Sequence, residues 1–287
     1  MSSEQLADGV NPLDAELAAT WDVLKGYSGR DTDLGIARRF GGAAAAYSLR
    51  NIGSDGLPVV RVRRSTGTPA EEDFSASQVL SGAVEAFVGA GNDGFVTTLY
   101  DQSGNGNDVT QTTPGSQPKI VDSGSLVKVD GIPSIKFDGT DDFLDRATYT
   151  QGDLAQPSTG FAVAKLRVFV DDNQKIFDGH NNPGRYMMQL NTAGNGQFAA
   201  YAGTIATSGE DADADQHLFE SRFNGLASRF IIDGVIKNTN DQGTQSMQGI
   251  NIGANHDSAT NFWDGDIQEI IIYNSDLFND RAVAKAP

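Results

Sequence analysis

Residues 228–237 read Ser-Arg-Phe-Ile-Ile-Asp-Gly-Val-Ile-Lys, and the Asp233-Gly234 pair between the two apolar runs decides the fold class. A two-residue loop between antiparallel strands needs positive φ at both positions, which Asp-Gly supplies. The β-branched residues on either side suit a pleated, half-buried surface. Runs of the same kind recur on both sides of this hairpin, punctuated by turn residues. They fall at 58–64, 95–101, 118–121, 126–129, 134–137, 161–170, 174–177, 185–190, 197–201, 217–223, 249–252 and 267–273. So many short strands with no helical crossovers between them predict an all-β, two-sheet antiparallel jelly-roll sandwich. Composition agrees: of 38 acidic residues 30 are Asp and only 8 are Glu, beside 33 Gly, a balance that favours turns over helices.

The first 40 residues read differently. Asn11 suits an N-cap, Pro12 the first helical position, and Asp14 and Glu16 the positive helix end. Leu13, Leu17, Trp21 and Leu24 then form one apolar stripe before Gly26 stops the helix. The expectation is a short helical N-terminal extension over 1–40 ahead of a sandwich over 41–287. Its stripe must be covered, either by the sandwich itself or by serving as an anchor or oligomerisation segment. A second helix is predicted over 75–89, where Ser75 and Gln78 have capping-box spacing, and a terminal one over 276–285, capped by Ser275.

A net charge of −17 opposes nucleic-acid phosphates and anionic membrane faces, so neither is expected as a partner. With no cysteine, disulfides, zinc–thiolate centres and thiol nucleophiles are excluded. The first residues, MSSEQLADGVNPLDAEL, have neither the basic nor the apolar region of a signal peptide, and no apolar run is long enough to span a membrane.

Candidate sites follow from residue types and spacing. Gly89-Ala-Gly91-Asn-Asp-Gly94 matches a dinucleotide pattern by letter. The predicted helix precedes it and a strand follows, the reverse of what a pyrophosphate needs, so it reads as a turn. Asp101, Ser103 and Asn105 with Gly106 have the spacing of the first half of a calcium loop, but Thr112 stands where the bidentate acid belongs. The alternative there is a glycine-rich turn. Asp211, Asp213 and Asp215 alternate, and in an extended segment they share a face, as a cation site or a solvated loop. Calcium is the one cofactor these patterns raise. His180, His217 and His256 belong to no hydrolytic motif. Asp264, Asp266 and Glu269 are candidate glycosidase carboxylates, though strict alternation puts Glu269 on the opposite face unless a bulge intervenes; ion pairing is the other reading. Sugar sites set aromatic platforms beside amides and carboxylates on loops. Asn255, His256, Asp257, Asn261 and Trp263 have that composition, as does 178–186 with Tyr186, while a core role for Trp263 stays open.

The strings AAAAYSLR (43–50), VRVRRS (60–65), FVTTLYDQSGNGNDVTQ (95–111) and SIKFDGTDDFL (134–144) occur in this order. They resemble the concanavalin A-like, laminin-G-type jelly-roll domains of tailed-phage structural proteins and marine bacterial surface proteins. Residues 262–277, FWDGDIQEIIIYNSDL, are similar to the last core strand of such domains. The resemblance implies a virion structural protein, in the tail as a fibre or adhesin or decorating the head. It would assemble in the host cytoplasm, oligomerise, contact other virion proteins and present loops to host-surface glycans. VRRS and YDQSGNGN also resemble the catalytic sandwich of glycoside hydrolase family 54 arabinofuranosidases. No segment matches that family's nucleophile, so this resemblance carries over no catalytic residue. DGDIQE is similar to the ExDxxE motif of laminarinase-like enzymes, with Asp264 at the nucleophile position. A retaining glycosidase and a purely architectural virion protein without sugar binding are the alternatives; an enzyme is the less expected of the readings.

Overall fold

A computed structural model of the chain describes residues 42–53, 56–66, 70–169, 173–191 and 196–277. The expected N-terminal extension, with Leu13, Leu17, Trp21 and Leu24, lies outside the described residues, as does most of the expected terminal helix.

The strands form two antiparallel layers. In the first, Val235–Asn238, Arg229–Ile232, Gln216–Phe223, Ser158–Leu166 and Asp264–Tyr273 lie side by side. The far edge of Asp264–Tyr273 is shared: Ala43–Ser48 pairs with its C-terminal half and Ile135–Asp138 with its N-terminal half. The second layer runs Ile205–Asp211, Gln197–Tyr201, Met187–Asn191, Lys175–Asp178, Ile250–Ile252, Leu144–Arg146, Val109–Thr110, Gly94–Leu99, Pro58–Arg64 and Glu71–Ser75. Lys119–Asp122 pairs with both Ile135–Asp138 and Gly94–Leu99 and so carries the hydrogen-bonded ladder from one layer to the other. The jelly-roll-type sandwich predicted from strand patterning is therefore the fold found.

Between the layers lies the main core. Phe137, Phe177, Phe219, Phe223 and Phe230 are fully buried in it, and a Cβ placed on Gly160 of the first layer would stand 3.3 Å from the Phe177 ring of the second. The Asp233-Gly234 hairpin is as predicted: both residues have positive φ, and Ile232 pairs with Val235 across the turn. Ser123-Gly124 and Asp130-Gly131 make two further turns of the same type, which the strand reading did not single out.

One local expectation is corrected, and one strand stands outside those predicted. The helix over 75–89 is two short helices, Ala76–Leu80 and Ala83–Val88. The Ser75–Gln78 capping box starts the first, but Gly82, at φ +85°, takes a left-handed conformation that ends its run. Ala43–Ser48 is a strand although four alanines open it. Its residues are all buried, and pairing with Asp264–Tyr273 overrides a weak β-propensity.

Gly249 carries a test of the packing. At φ +75° its backbone runs so close to the Arg146–Ala147 segment that an added Cβ would lie 2.3 Å from the Arg146 carbonyl oxygen. Gly249→Ala should therefore cost at least about 2 kcal/mol and lower Tm by roughly 5 °C, read by thermal melting. An unchanged melting curve would mean that these strands do not approach as described.

Candidate functional site

Three neighbouring strands of the second layer place a polar row on its outward face. Asp145 pairs with Asn251 and Asn251 with Asp178, while Leu144, Phe177 and Ile252 beside them turn into the core. Loops continuing from these strands bring His180, Arg185, Asn255 and His256 over the row.

Arg185 organises the cluster. Its Nε and Nη2 donate to the two oxygens of Asp178 at 3.0 and 2.7 Å, Nη2 also donates to Asn255 Oδ1 at 3.1 Å, and Nη1 meets His256 Nδ1 at 2.9 Å. The His256 backbone N–H donates to Asp178 Oδ2 at 3.1 Å. Asn251 Nδ2 holds the loop by donating to the Asn255 carbonyl at 2.6 Å and to Ser258 Oγ at 2.9 Å. Beside it, His180 Nε2 lies 3.4 Å from Asp145 Oδ2, and the Tyr201 ring is 5.8 Å from the Arg185 guanidinium.

Burial pushes the Asp178 carboxyl up to about 7, against the pull of Arg185, Lys175 and the His256 N–H. Burial and the charge of Arg185 lower the His256 pKa, so its imidazole is neutral at neutral pH. With Nδ1 accepting from Arg185, the ring proton is assigned to Nε2, which makes that nitrogen a hydrogen-bond donor. The cluster thus combines a guanidinium, a primary amide, a neutral imidazole donor and the ring of Tyr201. It is a set suited to hydroxyl groups and the apolar face of a small ring.

The structure separates the sequence candidates. Asn255 and His256 lie in the cluster, Asp257 is exposed next to it with its carboxylate capping Ala259 N–H, and Asn261 holds the end of the same loop at positive φ. Trp263 and Tyr186 are fully buried and present no face to a ligand. Trp263 packs in the core, and Tyr186 stacks on Phe223 at 4.7 Å with its hydroxyl donating to the Leu154 carbonyl. Aromatic residues beside polar loops have the same composition whether they face in or out. Arg185, Asp178 and His180 stand in the second stretch read for sugar binding, whereas Asp145, Asn251 and Tyr201 were missed because only strand register brings them there.

In the Asp101 loop the candidate ligands serve the chain itself. Asp101 Oδ1 accepts from the Ala46 and Ser103 N–H groups, and Oδ2 from Ser103 Oγ and Asn107 N–H; Asn105 Nδ2 donates to the carbonyls of Ala43 and Ala44. These bonds hold the loop as a glycine-rich turn, with both Asp101 oxygens engaged within the chain. Asp211, Asp213 and Asp215 do not converge: Asp213 accepts from His217 Nε2 at 2.9 Å and from Asp215 N–H. His217 lies between Asp213 and Asp233. Burial would lower its pKa, but the hydrogen bonds to both carboxylates outweigh that and raise it.

Gln268 is a bulge, so Glu269 pairs with Val163 while Asp266 pairs with Lys165, and both carboxylates share the outer face of the first layer. The register objection to the DGDIQE string therefore falls. Each acid is nonetheless held by its own arginine, Glu269 by Arg50 and Asp266 by Arg167 at 3.3 Å, with Asp264 3.5 Å from Arg167. Among the described residues the carboxylates that do converge are Asp138, Asp141 and Asp142, where hydrogen bonding within the turn accounts for the grouping.

No family model and no curated protein matches the chain. Solved structures of arabinofuranosidases do. One in complex with arabinofuranosyl-α-1,2-xylobiose is similar with a TM-score of 0.61 at 13% identity, over 80% of this chain and 58% of that one. A glycoside hydrolase family 54 α-L-arabinofuranosidase soaked with a cyclic sulfate inhibitor gives 0.60 at 14% identity. The chain thus spans about 58% of the length of the arabinofuranosidases it matches, and the likeness is one of fold.

Asp142 offers a pH test. Burial, then the charge of Asp138, pushes its carboxyl up to about 7, well above the ~3.9 of an unfolded aspartate. Between those values the folded chain holds a proton that the unfolded chain has released, so this group's contribution to stability falls as pH rises from about 4 to 7. Asp142→Asn should remove that slope and raise Tm at pH 8 relative to the parent. Parallel Tm–pH curves for the two proteins would refute the shift.

Proposed function

We propose that this chain is a carbohydrate-binding sandwich protein whose ligand rests on the Arg185–Asn255–His256 cluster. The observation that carries the reading is the arrangement of the cluster itself. Two directional groups of one loop, Asn255 and His256, are fixed by the Arg185 guanidinium of another over a row of strand residues, beside Tyr201. The shared architecture of arabinofuranosidases, whose solved complexes hold sugars, is consistent with it. The proposed setting is the virion of a tailed phage, in the tail or on the head. That part rests on the sequence strings of residues 43–144 and 262–277 alone. Repetition of the site in an oligomer would raise weak single-site affinity through avidity.

A hydrolase is the second reading, favoured by the raised pKa of Asp178 in the same cluster. Asp145 and Asp178 stand two strands apart, about 10 Å at the usual ladder spacing and wider than the ~5 Å of a retaining pair. The geometry therefore favours binding over the retaining mechanism.

A glycan array followed by calorimetric titration tests the proposal. His256→Ala and Asn255→Ala should each weaken binding by about tenfold, the value of one or two directional hydrogen bonds, with circular dichroism unchanged. Array silence, or hits that neither substitution affects, would remove the reading. Hydrolysis of an arabinofuranoside panel that disappears in Asp178→Asn would put the enzyme in its place.

A further inference from the structure

The outer face of the first layer carries a second apolar cluster, separate from the interlayer core: Ala43, Ala46, Phe161, Val163, Leu218, Ile271 and Tyr273, joined by Ile52. It runs across four adjacent strands, since Ala46 pairs with Ile271, Ile271 with Phe161, and Val163 with Leu218. The intervening residues Ala162, Ala164, Ile270 and Ile272 face the main core, so this patch points the other way. An outer sheet face of this architecture ordinarily alternates to polar residues. Here Phe161 and Tyr273 meet edge to face at 6.2 Å, and Phe161, Val163, Leu218, Ile271 and Tyr273 are at most 4% exposed. Among the described residues, the partly buried hydrophobic side chain packed against the patch is Leu277. One leucine is too small to cover two aromatic and three aliphatic side chains.

The chain has two segments outside the described residues at its ends, 1–41 and 278–287. The longer one joins the structure at Gly42, next to Ala43, which is itself a member of the patch. Its stripe of Leu13, Leu17, Trp21 and Leu24 is complementary in chemistry and in size. Eleven residues of helix rise about 16 Å, and four strands span about 14 Å. The residues between Leu24 and Gly42 give ample reach to any part of the layer. The shorter segment, Phe-Asn-Asp-Arg-Ala-Val-Ala-Lys-Ala-Pro, offers one large apolar side chain and no stripe.

We propose that the N-terminal segment folds back on its own chain and seats Leu13, Leu17, Trp21 and Leu24 on the Phe161–Ile271–Tyr273 patch. The extension is then a strap that completes the sandwich in cis. Attachment to other virion components would need either its release or a different surface.

The absence of cysteine makes the test direct in the full-length protein. In a Leu17→Cys/Val163→Cys double variant, oxidation should produce an intrachain disulfide in the monomer, seen as a mobility shift without reductant. Leu17→Cys paired with Leu226→Cys, at an 85% exposed position in the Gly225–Ala227 turn, should give none. As an independent measurement, full-length Leu17→Asp should raise the fluorescence of a hydrophobic dye severalfold and lower Tm by roughly 5 °C or more, while Val283→Asp should leave both unchanged. A disulfide formed only between two copies would make the occupant a second chain and overturn the proposal. A response confined to Val283→Asp would assign the patch to the C-terminal segment and overturn it as well. No disulfide, together with an unaltered Leu17→Asp protein, would do the same.

Discussion

The architecture depends on the pairing of Asp264–Tyr273 along both of its edges. On one side it is bonded over most of its length to Ser158–Leu166, and on the other to two strands from distant parts of the sequence, Ala43–Ser48 and Ile135–Asp138. The first layer therefore cannot close until nearly the whole chain is present. Such long-range closure makes folding slow relative to helical proteins of equal stability, because the loop entropy is lost before the contacts form. The bulge at Gln268 lets this strand serve both faces. Its side chain donates to the carbonyls of Val129 and Ile132 in the neighbouring hairpin, and the displaced register sends Ile270 and Ile272 inward and Ile271 and Tyr273 outward.

Fold class was readable because strand and turn chemistry are local. Asp233-Gly234 needs only its own backbone preferences and the β-branched residues beside it. What failed was set by partners far away in sequence. Four alanines in 43–48 say nothing of a strand until Asp264–Tyr273 lies beside them, and Glu269 reads as opposite in facing to Asp266 until a bulge shifts it. Gly82 splits a helix whose apolar spacing looked continuous, since spacing records which residues are buried and not where the backbone turns.

The candidate site was readable to the same extent. Asn255 and His256 stand out in a polar loop, and Arg185 lies in the other stretch of that kind, but only register shows that the two loops meet over Asp145, Asn251 and Asp178. Trp263 and Tyr186 show the opposite failure, because an aromatic residue at the edge of a loop has no local mark of which way it faces. Asp101 shows a third limit: a loop rich in oxygen ligands reads the same in sequence whether a cation or the chain's own N–H groups approach it, and N–H groups of Ala46, Ser103 and Asn107 donate to Asp101.

Electrostatics narrows the class of ligand that the proposed site would take. Arg185 is paired with Asp178 through two hydrogen bonds and His256 is neutral beside it, so the ionised Asp178 carboxylate offsets the charge of the guanidinium. The whole chain bears −17, a field that opposes the approach of acidic polymers at low ionic strength. An anionic sugar would have to displace Asp178 from Arg185, and the buried carboxyl, raised by burial and deprived of the partner that lowers it, would have to take up a proton. Neutral glycans require no such exchange. Their hydroxyls need only donors and acceptors held in place, and the pairing with Asp178 that offsets the charge of Arg185 is the same contact that holds Asn255 and His256 in position.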